Sequence, residues 1–218
     1  MLSYVMNTTK RSLEIISKDL EKSLNERENL IRNTRQIITL CSESIIDCHK
    51  NDFRQATKKI TQAKKLLDQY RKNIDKSLYK YLIPSEQEFV EASSFLSLIQ
   101  GKDIPSPEIL KVKNESFVLG LLDCIGEMRR DVYDKIRVGK SEEAKKMFEK
   151  MDELYLLLYP FAYYDKIIKE ARRKLDVARI LVEETRIAIT EEIRRAELIK
   201  SIKKSSYLSS PLPLIYFK

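Results

Sequence analysis

Glycine and proline are scarce in this 218-residue chain, at 4 and 6 residues, and tryptophan is absent. Hairpins need turn residues at short intervals, and no alternating apolar–polar run bounded by them is found. Helix is therefore the regular structure expected throughout. Histidine occurs once, at His49. A ferritin-like di-iron site takes a Glu-x-x-His pair from each of two helices, so that chemistry is set aside. His49 itself reads as a helix-end residue rather than a catalytic base. The cysteines, Cys41, Cys48 and Cys124, are odd in number and form no C-x-x-C pair. That argues against a disulfide framework or a structural zinc site and for a reducing compartment. A glycine-rich phosphate loop and a G-x-S-x-G elbow are also missing. No apolar run of about eighteen residues exists, and no charged-then-apolar leader opens the chain. The expectation is a soluble, cytoplasmic protein with no membrane-spanning part.

What is present is charge and helical periodicity. Charged residues make up 34% of the chain and apolar ones 43%, the balance of amphipathic helices with solvated outer faces. Lysine and arginine outnumber the acids 41 to 33, a net charge of +8. That excess favours an anionic partner such as nucleic acid or a membrane surface, against the plain alternative of a merely basic exterior. It is not gathered in one tail, so a disordered basic arm is not expected.

The punctuation predicts six helices and a short seventh. The first begins near Asn7-Thr8-Thr9 and ends near His49-Lys50-Asn51, with Leu13, Ile16, Leu20, Leu24, Ile31, Ile38, Ile45 and Ile46 as its apolar set. A helix that long needs neighbours along its length, which implies a bundle. The second is capped by Asp52 and runs to about Tyr81. The third, about 85–100, starts at Pro84 and is closed by Gly101. A loop through Pro105 and Pro107 leads to a short turn at Glu108–Val112. Asn114 caps the helix Glu115–Val138, and Ser141 caps the next, which ends before Pro160. The last runs from about Ala162 to Lys200, leaving a tail, 201–218, with an apolar end. No internal repeat is found. The simplest reading is one all-α domain, 1–200, with very long first and last helices, plus the tail.

Two acid pairs stand out. Glu88 and Glu91 are spaced i,i+3, and Asp123 and Glu127 i,i+4, so each pair shares a helix face. Asp123 and Glu127 lie on a polar stripe with Ser116, Gly120 and Arg130. Gly120 and Gly126 are unusual inside a helix, where glycine costs roughly 0.5–1 kcal/mol against alanine; they suggest close approach of another backbone or a ligand. The bland alternative is two solvated faces, with Glu127 paired to Arg130. If the acids converge, four carboxylates without histidine suit a hard cation, Mg²⁺ or Mn²⁺. Such a site suits attack of water on a phosphodiester, which would join the acids to the basic charge.

The stretch Gln87-Glu88-Phe89-Val90-Glu91-Ala92, followed by Gly120-x-x-Asp123-x-x-Gly126-Glu127-x-x-Arg130, resembles the translin superfamily. Arg27, Glu28, Arg32 and Arg35, and the later Lys174–Arg179 segment, fit it too, and the resemblance covers residues 10–195 or so. Within that family the translin-associated factor X branch carries a catalytic acid set, and this sequence matches it at Glu88, Glu91, Asp123 and Glu127. The resemblance implies a seven-helix bundle and a Mg²⁺-dependent (or Mn²⁺-dependent) endoribonuclease acting on single-stranded RNA, with single-stranded DNA as a further ligand. It also implies closed homo-oligomeric shells, hexamer to octamer, with the active sites inside. The four acids would hold the metal, and Arg27, Arg32, Arg35, Arg129 and Arg130 are candidates for phosphate contacts. For each arginine the alternative is an ordinary intrahelical ion pair. For the whole chain it is a non-catalytic oligomer that binds single-stranded nucleic acid.

Overall fold

The computed structural model describes residues 2–208, and the regular structure among them is entirely helical. Seven α-helices follow one another: α1 (Leu2–His49), α2 (Phe53–Asn73), α3 (Ile83–Ile99), α4 (Pro107–Leu110), α5 (Asn114–Arg137), α6 (Ser141–Leu158) and α7 (Ala171–Leu208). Short 3₁₀ turns occupy Lys76–Tyr81 and Tyr159–Tyr164. The first and last helices are the longest, at 48 and 38 residues. Two compact units are present. The first ends at Cys124 and the second begins at Ile125, inside α5.

Most helix ends follow local chemistry. The Asp52 carboxylate accepts from the Gln55 amide and starts α2, and Pro84 sits in the first turn of α3. Gly101 and Gly139 take the left-handed conformation just past α3 and α5, with φ of +69° and +75°. Elsewhere the structure departs from the sequence reading. The second helix stops at Asn73, because Ile74 is extended and Asp75 caps a separate 3₁₀ turn by accepting from the Ser77 amide. Ser141 does not cap α6; its hydroxyl donates to Glu192 of α7 at 2.7 Å instead. The last helix starts at Ala171 rather than Ala162. Tyr159–Tyr164 form a 3₁₀ turn, Glu170 is left-handed, and the Asp165 carboxylate accepts from the Arg172 amide at the new start. That helix runs on past Lys200 to Leu208. The apolar end of the tail, from Leu212 to Phe217, lies outside the described residues.

In the first unit α1, α2 and α3 pack on one another. The inward stripe of α1 is Leu30, Thr34, Ile37, Cys41, Ser44, Ile45 and Cys48, all buried. Of the expected set only Ile45 is buried, and Leu13, Ile16, Leu20, Leu24 and Ile46 are exposed. On α2 the stripe is Ala56, Ala63 and Leu67. The two alanines let the helices come close enough for the Ser44 hydroxyl to donate to the Ala56 carbonyl at 3.0 Å. Helix α3 is the inner element: every residue from Phe89 to Leu96 is buried, and so are Ser85 and Glu86. In the second unit α6 packs on α7 through Ala144, Met147, Met151 and Leu154 on one side and Leu175, Ala178 and Val182 on the other. Ile167 and Val177 are exposed.

Glu86 is fully buried and is the centre of a polar network in the first unit. Its carboxylate accepts from Arg71 Nε of α2 (2.9 Å), from the Tyr79 hydroxyl (2.6 Å), from the Ser116 hydroxyl of α5 (2.7 Å) and from the Lys113 amide (3.4 Å). Arg71 also donates to the Leu110 carbonyl at the end of α4. Burial, with the bond to Glu86, pushes the Tyr79 phenol up to about 12. Burial, with the charge of Asp47, does the same to the Cys48 thiol.

Removing Arg71 would leave a buried carboxylate without its cation. Arg71→Met is therefore expected to cost about 3–5 kcal/mol of stability, read from urea denaturation. Alkali should act through the raised groups. The unfolded chain ionises its thiol and phenol near their ordinary values of 9.0 and 10.0, whereas the folded chain keeps both protons to about 12. The unfolded state then binds fewer protons, so stability falls as pH rises from about 9 to about 12. Denaturation midpoints measured across that range check the slope.

Candidate functional site

The acids of α3 sit on its enclosed middle turn. Glu91 is buried and Glu88 is half-buried. Both lie beside Cys41 of α1. Burial pushes that thiol far above its ordinary value, and the charges of Glu88 and Glu91 push it further. Cys41 is thus held protonated and is no nucleophile. Two carboxylates and a buried thiol share this side of α3.

Helix α5 meets α3 at the same turn. A Cβ on Gly120 would stand 2.5 Å from the Gln87 carbonyl oxygen and 2.7 Å from Val90 Cβ. The missing side chain is what lets the two backbones touch, and Glu88 and Glu91 are the next residues in sequence after Gln87 and Val90. Asp123, half-buried, follows one turn along α5. These three acids belong to the first unit. Glu127 comes one further turn along α5, at the start of the second unit, and is also half-buried. Arg130 Nη1 lies 3.9 Å from it, the loose ion pair expected of a solvated face. Among the described residues no three His, Cys, Asp or Glu side chains are grouped so as to hold a metal ion. Gly126 differs from Gly120: a Cβ there would meet nothing within 4 Å.

The five arginines fall into two sets. In the first unit Arg27 lies over the Tyr81 ring, 4.9 Å from its centroid, and Arg32 and Arg35 are exposed on α1. In the second, Arg129 donates to Glu184 of α7 at 3.0 Å and lies over Tyr133 at 5.1 Å, while Arg130 is mostly exposed. The ion pair of Arg129 is therefore between helices, not within one. His49 ends α1 with its ring 4.9 Å from that of Phe95, a helix-end role.

Sequence reasoning missed Glu86, Cys41 and Tyr133. Glu86 was detectable: it precedes Phe89 by three residues, on the same helical stripe as Phe89 and Ala92 or Ser93. The place of Cys41 beside the acids depends on how α1 and α3 pack, which no local pattern encodes.

No family model matches the chain. It is 32% identical over 183 residues to an uncharacterised protein of Methanocaldococcus jannaschii, MJ0175, covering 82% of this chain and 81% of that one. Among solved structures, AfC3PO is similar at 32% identity with a TM-score of 0.77, covering 86% of this chain and 99% of that one. AfC3PO in complex with duplex RNA gives 30% and 0.76, covering 86% and 98%. The apo form of NeC3PO, at 23% identity and 0.71 over 83% and 96%, supports the fold alone.

At Gly120 the obstacle to a Cβ is a backbone carbonyl, which no rotamer change can move aside. Gly120→Ala should force α3 and α5 apart and cost about 1–3 kcal/mol, although alanine is the better helix former. A lowered denaturation midpoint is the expected result; an unchanged or raised one would contradict the close contact.

Proposed function

Because the chain belongs to the translin superfamily, the family of the C3PO proteins, we propose that it is an endoribonuclease of the catalytic, translin-associated factor X-like branch. It would cleave single-stranded RNA with Mg²⁺ or Mn²⁺ inside a homo-oligomeric shell. The observation that carries this reading is the Gly120 contact. It sets the part of α5 that bears Asp123 against the turn of α3 that bears Glu88 and Glu91.

By chemical type the four candidate donors, carboxylates only, suit a hard dication, and Glu91 and Glu88 are withdrawn from bulk water beside Cys41. Glu88, Glu91, Asp123 and Glu127 would hold it. What a bound dication supplies there is activation of water and stabilisation of the departing oxygen. The chain's own part is to bind and orient the strand. Arg130 is exposed and only loosely held by Glu127, so it can turn to a phosphate. Arg129, fixed by Glu184, offers a pre-oriented guanidinium. Arg27, Arg32 and Arg35 add positive charge on α1. RNA as the ligand is supported by the solved complex of AfC3PO with duplex RNA. Assembly is supported by exposed apolar surface on Leu156, Leu157, Tyr159, Tyr163 and Ile167, and on Leu13, Ile16 and Leu20.

A second reading, a non-catalytic oligomer that binds single-stranded RNA or DNA, is favoured by one observation: the described acids form no three-membered metal cluster. A labelled single-stranded RNA incubated with the protein separates the two. Cleavage that needs Mg²⁺ or Mn²⁺ and drops at least about a hundredfold in Glu127→Ala is expected, from loss of a metal-holding group. No cleavage, with salt-dependent binding that survives alanine at all four acids, would establish the second reading.

A further inference from the structure

Two glycines interrupt α5, and only one is explained by the chain itself. Gly120 is required by the α3 backbone. Gly126 lies mid-helix, and a Cβ on it would meet nothing within 4 Å. Glycine is among the poorest helix formers, so a site that packing leaves open should favour almost any other residue. The surroundings of Gly126 indicate what needs the space. It is part of the lining of an open depression of about 450 Å³ together with Arg129, Arg130, Tyr133 and Asp134. Arg130 and Tyr133 follow Gly126 by four and seven residues, on one face of the helix.

We propose that Gly126, Arg129, Arg130 and Tyr133 form a nucleotide subsite beside Glu127 that takes one base of an RNA strand and its phosphate. The proposal rests on the RNA-binding reading above and deepens it. Arg129 lies over the Tyr133 ring at 5.1 Å and is anchored by Glu184 at 3.0 Å. The two side chains make a flat, positively charged platform of the kind on which bases stack. Arg129 Nε has no hydrogen-bond partner among the described residues. Arg130 is the more exposed guanidinium and suits the phosphate. The only acid in the lining, Asp134, is answered by Arg137 at 2.7 Å, so the rim does not repel a polyanion. Bare backbone at Gly126 is the floor: a side chain there would rise into the space the nucleotide occupies.

The test uses the full chain and a fluorescent single-stranded RNA oligomer in EDTA, so that cleavage does not intrude, with binding followed by anisotropy. Gly126→Ala should melt about 1–4 °C higher than the parent, because alanine favours the helix, yet bind RNA about tenfold or more weakly. Tyr133→Ala should lose a similar factor through the missing stack, and Tyr133→Phe should bind like the parent. Parent protein that binds RNA, with Gly126→Ala and Tyr133→Ala binding equally well, would overturn the subsite and leave the broader reading standing. Parent protein that binds no RNA would overturn both. A change in oligomer size in Gly126→Ala, with binding per chain unaltered, would make this a contact between subunits and also overturn the subsite.

Discussion

A carboxylate taken out of water is tolerated only among donors, and Glu86 is surrounded by them. Arg71 comes from α2, Tyr79 from the 3₁₀ turn, Ser116 from α5 and the Lys113 amide from the approach to α5. Three separate stretches of the first unit are thus tied to one point on α3. That fixes the rotation of α3 about its own axis, since turning it would strip the buried charge of its partners. The next turn of the same helix carries Glu88 and Glu91. A structural acid therefore sets the direction in which the candidate functional acids point.

The second constraint is steric. Helix α5 can reach the Gln87–Val90 turn only because residue 120 has no side chain. The rows of residues that follow along α5, Asp123 and Glu127 and then Arg130 and Tyr133, are polar on a helix whose other side is buried through Val118, Leu122, Ile125, Met128 and Val132. The helix is anchored by its apolar side and offers its acids and arginines on the other. A carboxylate pair followed by guanidiniums suits a phosphodiester: in the proposed function the acids would take a cation and the arginines the flanking phosphates.

Much of this was legible in the sequence. Scarce glycine and proline gave an all-helical chain, Asp52, Pro84, Gly101 and Gly139 marked true helix boundaries, and the i,i+3 and i,i+4 spacing paired the acids. The misreadings have physical causes. On α1 the isoleucine and leucine spacing points to a wholly aliphatic stripe, but the buried one mixes Leu30, Ile37 and Ile45 with Thr34, Cys41 and Ser44, small residues that close helix packing also buries. Ser141 looks like a cap, yet its hydroxyl finds Glu192, fifty-one residues away. The start of α7 depends on the left-handed Glu170 and the Asp165 carboxylate, where the sequence suggested continuous helix. Glycine at 120 and at 126 reads alike in sequence. Only the packing separates the one that meets α3 from the one that faces open space.

The central claim is that the acids of α3 and α5 serve one divalent cation. Calorimetric titration of the intact protein with Mn²⁺ tests it most directly, alongside Glu91→Gln and Glu127→Gln variants whose helicity is confirmed by circular dichroism. One shared carboxylate site predicts saturable binding in the parent protein that each variant separately abolishes or weakens by about tenfold or more. Absence of saturable binding, or binding that both folded variants retain unchanged, would contradict it.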